Sequence, residues 1–136
     1  GDDLDVERAH VVAALIMRTL AGPEELVVWG TGTATREHLY VEDAADGMLA
    51  MAGWGRPDPL NIGTGLEVSV ADLARQIAHA CGYGGSIRFD ASRPDGQPRK
   101  VMAVGRATDV LGWTAKTDLG TGLEETVAWY RQELGC

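Results

Sequence analysis

The glycine turn Gly30-Thr31-Gly32 follows an apolar run and allows the backbone to change direction within a few positions. Residues 27–29 (Val-Val-Trp) are β-branched and aromatic, which predicts a short strand ending at this turn. Residues 38–41 predict a second short strand. Asp43 stands immediately before Ala44, where its carboxylate would cap a helix. The segment therefore predicts a strand, a turn, a second strand and a helix start in close succession.

Two side chains near this turn carry the chemistry of the segment, namely Trp29 and Arg36. An indole offers a flat stacking surface, and a guanidinium offers a planar fork that fits phosphate oxygens. Together they could hold the base or sugar of a nucleotide and its pyrophosphate. The alternative interpretation places Trp29 in the core and pairs Arg36 with Glu37 on the surface, because most tryptophans are core residues.

Composition limits the classes of ligand. The chain has 136 residues, which is one domain or a large piece of one, and its net charge is −8. An acidic chain repels nucleic acid and anionic membranes and therefore binds them poorly. A small anionic ligand must instead contact a local group of Arg and Lys side chains. No apolar run approaches the ~20 residues of a membrane span. Two cysteines and three histidines show no metal-ligand spacing, so a cytoplasmic, metal-free protein is expected.

The remaining chain predicts alternating helices and strands. Apolar spacing predicts helices over residues 6–20 with Asp5 as cap, 44–51, 70–81 capped by Ser69, 106–111, and from Asp118 or Thr121 to the end. Strands are predicted at residues 60–62 and 86–89, and a weaker one at 101–104. This order predicts a mixed α/β fold over residues 1–136.

Residues 90–100 (Asp-Ala-Ser-Arg-Pro-Asp-Gly-Gln-Pro-Arg-Lys) predict a polar loop whose path is fixed by two prolines and a glycine. Three cations and two carboxylates in one ordered loop can present both positive and negative side chains to a ligand. The alternative is a solvated surface connection, and the residues alone leave both interpretations open.

Gly-Thr-Gly occurs three times, at residues 30–32, 63–65 and 120–122. No copy continues to the third glycine of a dinucleotide-binding fingerprint, and no Walker lysine follows. We therefore interpret all three as turns. No Ser-His-Asp or Cys-His arrangement has the context of a nucleophile elbow.

Four segments occur in the same order as in one enzyme family. They are Ala-His-Val at 9–11, Val-Val-Trp-Gly-Thr-Gly-Thr-Ala-Thr-Arg-Glu at 27–37, Asn-Ile-Gly-Thr-Gly at 61–65, and Phe-Asp-Ala-Ser-Arg-Pro-Asp-Gly-Gln-Pro-Arg-Lys at 89–100. With these segments the chain resembles the C-terminal part of the GDP-L-fucose synthases, which are extended short-chain dehydrogenases/reductases (SDR) with a Rossmann-type fold. The last segment is the most specific of the four.

The resemblance implies an enzyme that epimerises C3 and C5 of GDP-4-keto-6-deoxymannose and reduces C4 with NADPH. By position, His10 matches a histidine that acts as an acid/base and lies near the NADP cofactor. The implied GDP-sugar-binding residues are Arg18, Trp29, Arg36, Asp95 and Lys100. Histidine suits the return of a proton to an enolate, and arginines suit a pyrophosphate. Relatives of this kind are commonly homodimers.

The family's Gly-rich cofactor loop and its Tyr-x-x-x-Lys pair have no counterpart in these residues. The resemblance therefore implies an inactive C-terminal substrate-binding fragment, with a few elements that would complete a Rossmann domain encoded elsewhere. One alternative is another nucleotide-sugar epimerase, dehydratase or ketoreductase of the same superfamily. A second alternative is a non-catalytic nucleotide-sugar-binding module.

Overall fold

A computed structural model describes residues 10–136, which form five helices and five short strands. In chain order they are α1 (Val11–Leu20), β1 (Glu25–Trp29), β2 (Thr35–Arg36), α2 (Val41–Trp54), β3 (Val68–Ser69), α3 (Val70–Ala80), β4 (Ser86–Asp90), β5 (Arg99–Lys100), α4 (Gly105–Leu111) and α5 (Leu119–Leu134). Strand β1 pairs in parallel with β4, and β2 lies between antiparallel β3 and parallel β5. The predicted mixed α/β fold is confirmed.

The hydrophobic core lies where α1, α3 and α5 pack together beside β1. Its most deeply buried large side chains are Ile16, Leu26, Leu73, Ile77 and Val127. In α3 these side chains recur at helical spacing, so one face of the helix is buried while the opposite face carries charge. None of the helices within residues 10–136 is long and apolar enough to cross a bilayer.

Two helix starts follow their predicted capping residues. The Ser69 hydroxyl accepts a hydrogen bond from the Asp72 amide (3.0 Å) and donates one to the Asp72 carboxylate (2.7 Å). The Asp118 carboxylate accepts from the Thr121 amide (3.0 Å) at the start of α5. Both caps satisfy amide groups that have no partner within the helix itself, so these boundaries are encoded locally.

The prediction that Asp43 caps a helix is wrong. Helix α2 already begins at Val41, and Tyr40 occupies the position before it. Asp43 is only 5% exposed, and its carboxylate accepts hydrogen bonds from the amides of Lys116 (3.1 Å) and Thr117 (2.8 Å). Because a distant segment supplies these donors, Asp43 joins α2 to the stretch before α5.

Three predicted strands are also wrong. Residues 38–41 contain no strand, because pairing ends at Arg36 and the helix begins at Val41. Residues 60–62 and 101–104 form no ladder, and the side-chain NH₂ group of Asn61 donates to the Ala103 carbonyl (3.2 Å). The third Gly-Thr-Gly copy is helical rather than a turn, since it lies in the first turns of α5. The predicted helical residues 6–9 and the cap Asp5 lie outside the described residues.

The hydrogen bonds to Asp43 predict a pH dependence of stability. The Thr117 amide is the main reason that the pKa of Asp43 lies below its ordinary value. A lowered pKa in the folded state contributes stability that is fully present above the unfolded pKa of about 4, and that is lost as the pH falls through the folded pKa. We expect Asp43→Asn to lower the urea midpoint at pH 7, and to lower it less at pH 3, which lies below the unfolded pKa.

The matched control is Asp109→Asn, which removes an exposed carboxylate from α4. We expect its urea midpoint to follow that of the unmodified chain at both pH values. An Asp43→Asn midpoint equal to that of the control at pH 7 would contradict a stabilising role for this carboxylate.

Candidate functional site

The parallel strands β1 and β4 end at the same edge of their sheet. Trp29 and Asp90 are the final residues of the two strands and pair in register. The chain leaves them through residues 30–34 and 91–98, which therefore meet beyond the carboxyl ends of the strands. In open α/β sheets this is the edge at which ligands bind.

The second of these loops is held against the first by Asp95. Its carboxylate accepts hydrogen bonds from the amide (2.7 Å) and the hydroxyl (2.8 Å) of Thr31. The hydrogen bond from the Thr31 hydroxyl contributes most to keeping the pKa of Asp95 below its usual value. Gly30 has φ +85°, and a Cβ at this position would collide with the Asp95 carboxylate. A glycine is therefore required for this close approach, and Asp95 has a structural role beside its predicted substrate contact.

Trp29 lies on the surface of this edge rather than in the core. Its side chain is 60% exposed, although the residue before it in β1, Val28, is buried. The guanidinium carbon of Arg93 stands 5.0 Å from the centre of the indole ring. The alternative interpretation of Trp29 as a core residue is wrong, and part of the ring is open to a ligand.

Arg36 is not paired with its neighbour. Its Nη1 donates to the Thr35 carbonyl (2.7 Å), and its Nη2 lies 3.6 Å from where a Cβ on Gly96 would stand. The loop that carries Asp95 therefore also reaches Arg36. Lys100 follows on β5, in register with Arg36 on β2, so the two residues lie on adjacent strands about 4.8 Å apart.

The Glu37 carboxylate is hydrogen-bonded to backbone amides. It accepts hydrogen bonds from Thr64 (2.5 Å), Gly65 (2.9 Å) and Met102 (2.6 Å). The predicted alternative of an Arg36–Glu37 surface pair is therefore wrong within the described residues. The Gly-Thr-Gly turn at residues 63–65 is an indirect signal for this contact in the sequence. Amides of a tight glycine turn need a hydrogen-bond acceptor when they are not solvated.

Many cations of this acidic chain are neutralised locally. Between residues 10 and 136 the ion pairs are Arg75–Asp72, Arg88–Glu25, Arg99–Glu67, Arg106–Asp58 and Lys116–Asp46. Arg36, Arg93 and Lys100 form no ion pair with any carboxylate in that range. We call these three residues the basic cluster. It provides the local cationic group that an anionic ligand would need on a chain of net charge −8.

Two further predicted site residues lie at or within α1. His10 occupies the position before the helix and is exposed, and Arg18 is partly buried two turns further along. Helix α1 packs against α3, α5 and β1. The predicted contacts of His10 with substrate and cofactor, and of Arg18 with substrate, remain predictions.

His38 is an unforeseen feature next to the basic cluster. Its Nε2 is buried without a hydrogen-bond partner among the described residues, and burial is the main cause that lowers its pKa, followed by the charge of Arg36. His38 lines an open groove of about 660 Å³ together with Tyr40, Leu123 and Trp129. Burial thus favours the neutral imidazole, and the groove beside it is largely apolar.

The described residues do not fit the pyrophosphate of a dinucleotide cofactor. Such a group needs free amides at a glycine turn that leads into a helix. At residues 30–32 the Thr31 amide is bonded to Asp95, and at residues 63–65 two amides are bonded to Glu37. Nor do the described residues include a group of three or more His, Cys, Asp or Glu side chains arranged for a metal ion.

Comparisons with known proteins agree with this architecture. The model of the NAD-dependent epimerase/dehydratase family matches residues 3–63. GDP-L-fucose synthase 1 of Arabidopsis thaliana is 39% identical over 135 residues, and the match covers 96% of this chain but 42% of the relative. The chain therefore spans about two-fifths of the length of this relative.

Two solved structures have a similar fold over almost the whole chain. GDP-L-fucose synthetase from Naegleria fowleri bound to NADP matches with a TM-score of 0.90 and 26% identity, covering 98% of this chain and 44% of that one. UDP-glucose 4-epimerase from Thermotoga maritima, solved with UDP-glucose, matches with a TM-score of 0.87 and 30% identity, covering 98% and 43%. The fold is that of part of an extended SDR epimerase. The chain is a partial-length relative of GDP-L-fucose synthase in the NAD-dependent epimerase/dehydratase family.

Proposed function

We propose that this chain is the C-terminal, nucleotide-sugar-binding part of a GDP-4-keto-6-deoxymannose 3,5-epimerase/4-reductase. The observation that carries the proposal is the basic cluster beside an exposed indole at the carboxyl ends of β1 and β4. Within residues 10–136 the three cations of the basic cluster form no ion pair, and such a group gives an acidic chain a place for an anionic ligand.

Each proposed role follows from the chemistry of a side chain. Arg36 and Lys100 bind the diphosphate, because charge-assisted hydrogen bonds to phosphate are among the strongest that a protein makes. Trp29 stacks against the base or the sugar. Asp95 orders the loop through Thr31, and its carboxylate edge accepts hydrogen bonds from the nucleoside.

Epimerisation needs a proton to leave a carbon next to the ketone and to return on the opposite face. His10 is proposed to supply or accept this proton, and Arg18 to hold the substrate next to it. NADP supplies hydride for the C4 reduction in such enzymes. We infer that NADP is held mainly outside the described elements, with His10 near it, because amides of both glycine turns, at residues 30–32 and 63–65, are bonded to carboxylates. The 136 residues alone are then inert towards a keto-sugar.

Nucleotide titration tests the proposal. We expect the native gene product to bind GDP more tightly than UDP or dTDP in calorimetric titrations, and to lose most of this affinity at high salt because the diphosphate contacts are ionic. Failure to bind any of the three nucleotides would contradict a nucleotide-sugar site.

A second candidate is a related enzyme that acts on another nucleotide sugar. The similarity to a UDP-glucose 4-epimerase solved with UDP-glucose, which is 30% identical, favours it. Preference for UDP or dTDP over GDP in the same titration would support this candidate and contradict the first.

A further inference from the structure

The two cysteines of this sequence, Cys81 and Cys136, line the same cavity although they are far apart in the chain. The cavity has a volume of about 530 Å³ and lies where α1, α3 and α5 end. Cys81 directly follows α3, and Cys136 follows the glycine that ends α5. Both thiols are free. The fold therefore brings two thiols to one place from distant segments.

Arg131 joins the two segments that carry these cysteines. Its Nη2 donates a hydrogen bond to the Cys81 carbonyl (2.9 Å), and its own carbonyl accepts one from the Cys136 amide (3.0 Å). The left-handed conformation of Gly135 (φ +70°) turns the chain back so that Cys136 can form this bond. One residue of α5 thus holds both segments at the cavity.

The two thiols differ in exposure. Cys136 is exposed, whereas Cys81 is 9% exposed and faces the cavity. Burial raises the pKa of the Cys81 thiol, the charge of Arg131 lowers that pKa, and a Cys136 thiolate raises it, so the two sulfur atoms lie within electrostatic reach of each other. An exposed thiol reacts first with a dissolved oxidant, and a neighbouring buried thiol can then resolve the product.

The movement that joins the two sulfur atoms belongs to Cys136. A disulfide needs Cα atoms about 4.4–6.8 Å apart. Cys81 is fixed at the end of α3, which packs against α1 and α5 in the core. Cys136 lies beyond the last turn of α5, and helix ends fray. The bond between the Cys136 amide and the Arg131 carbonyl opens when Cys136 crosses the cavity.

We propose that Cys81 and Cys136 form a reversible disulfide when the protein reacts with a small-molecule disulfide. The Cys136 thiolate attacks one sulfur of that disulfide and expels a first small thiol, which leaves a mixed disulfide on Cys136. The Cys81 thiolate then attacks the Cys136 sulfur and expels a second small thiol. The two protein thiols are oxidised, the small disulfide is reduced, and the two protons pass to the thiols released. This inference is independent of the proposed nucleotide-sugar site.

The test incubates the native gene product with oxidised glutathione and maps its cysteine peptides by mass spectrometry. We expect a cross-link between the peptides of Cys81 and Cys136 that dithiothreitol removes. In the oxidised protein, hydrogen exchange at the amides of residues 132–136 should slow at least about tenfold, because the bond suppresses fraying of α5. Exchange in α2 should not change, since this helix lies away from the cavity.

Two variants serve as controls. Cys136→Ser removes the exposed thiol and keeps a side chain of similar size, so it should fold, form no cross-link and show no slowing of exchange. Cys81→Ala keeps the first reacting thiol, and we expect it to accumulate a glutathione adduct on Cys136 that is transient in the unmodified protein. A lasting adduct on Cys136 of the unmodified protein, with Cys81 still reduced, would overturn the inference. A disulfide between two protein molecules, or no reaction of either thiol, would overturn it as well.

Discussion

Arg36→Ala is expected to weaken the binding of GDP by roughly ten- to a hundredfold, because a charge-assisted bond to phosphate is worth about 1.5–3 kcal/mol. The guanidinium is placed by its own strand, through the Thr35 carbonyl, and by the loop at Gly96. It forms no ion pair with any of the described carboxylates. Its removal therefore costs little of the fold and one of the two proposed cationic contacts to the diphosphate, that of Lys100 remaining. Calorimetry with GDP measures the effect directly.

Two variants separate this effect from a general change of charge. Arg75→Ala removes an exposed cation that is paired with Asp72 on α3, and it should leave GDP affinity unchanged. Arg36→Lys should restore only part of the affinity, because an ammonium cannot form the bidentate bond. GDP affinity that is the same in Arg36→Ala and Arg75→Ala would rule out the proposed site.

The sequence predicts well those elements whose signals are local. Helix α3 has its cap at Ser69, its periodic apolar face and its end near Cys81 within one short segment. Strand β1 and the start of α5 are predicted for the same reason. Prediction fails where the hydrogen-bond partners of a residue lie far along the chain. Asp43 has the right position for a cap, but its donors lie 73 and 74 residues further along the chain.

The candidate site shows the same division. Trp29 and Arg36 are identifiable from residue type and spacing, and the loop of residues 90–100 is identifiable from its charge and its prolines. The sequence does not show which cations of this loop stay unpaired, because Arg99 forms an ion pair with Glu67, which lies on a different part of the chain. The stacking of Arg93 on Trp29 likewise depends on the pairing of β1 with β4.

Glu37→Ala is expected to lower the free energy of unfolding by about 2–3 kcal/mol, since it leaves three backbone amides without their acceptor. The carboxylate joins the end of β2 to the turn at Thr64 and Gly65 and to Met102 after β5. Some of these amides are exposed enough for water to replace the carboxylate in part, which keeps the expected loss below the sum of three buried groups. Urea unfolding at neutral pH measures the loss.

The matched control is Glu25→Ala, which removes a carboxylate from an exposed ion pair with Arg88 and should cost less than about 1 kcal/mol. Glu37→Gln should fall between the two, because one amide oxygen can still accept from Thr64 and Gly65 while the new NH₂ faces the Met102 amide. Hydrogen exchange should accelerate at these three amides in Glu37→Ala and not in Glu25→Ala. Equal stability of the two alanine variants would contradict the role of Glu37.

Glu37 follows Arg36 directly, so the loss of Glu37 should also weaken GDP binding. The effect should be smaller than that of Arg36→Ala, because the guanidinium would remain, although on a less ordered strand.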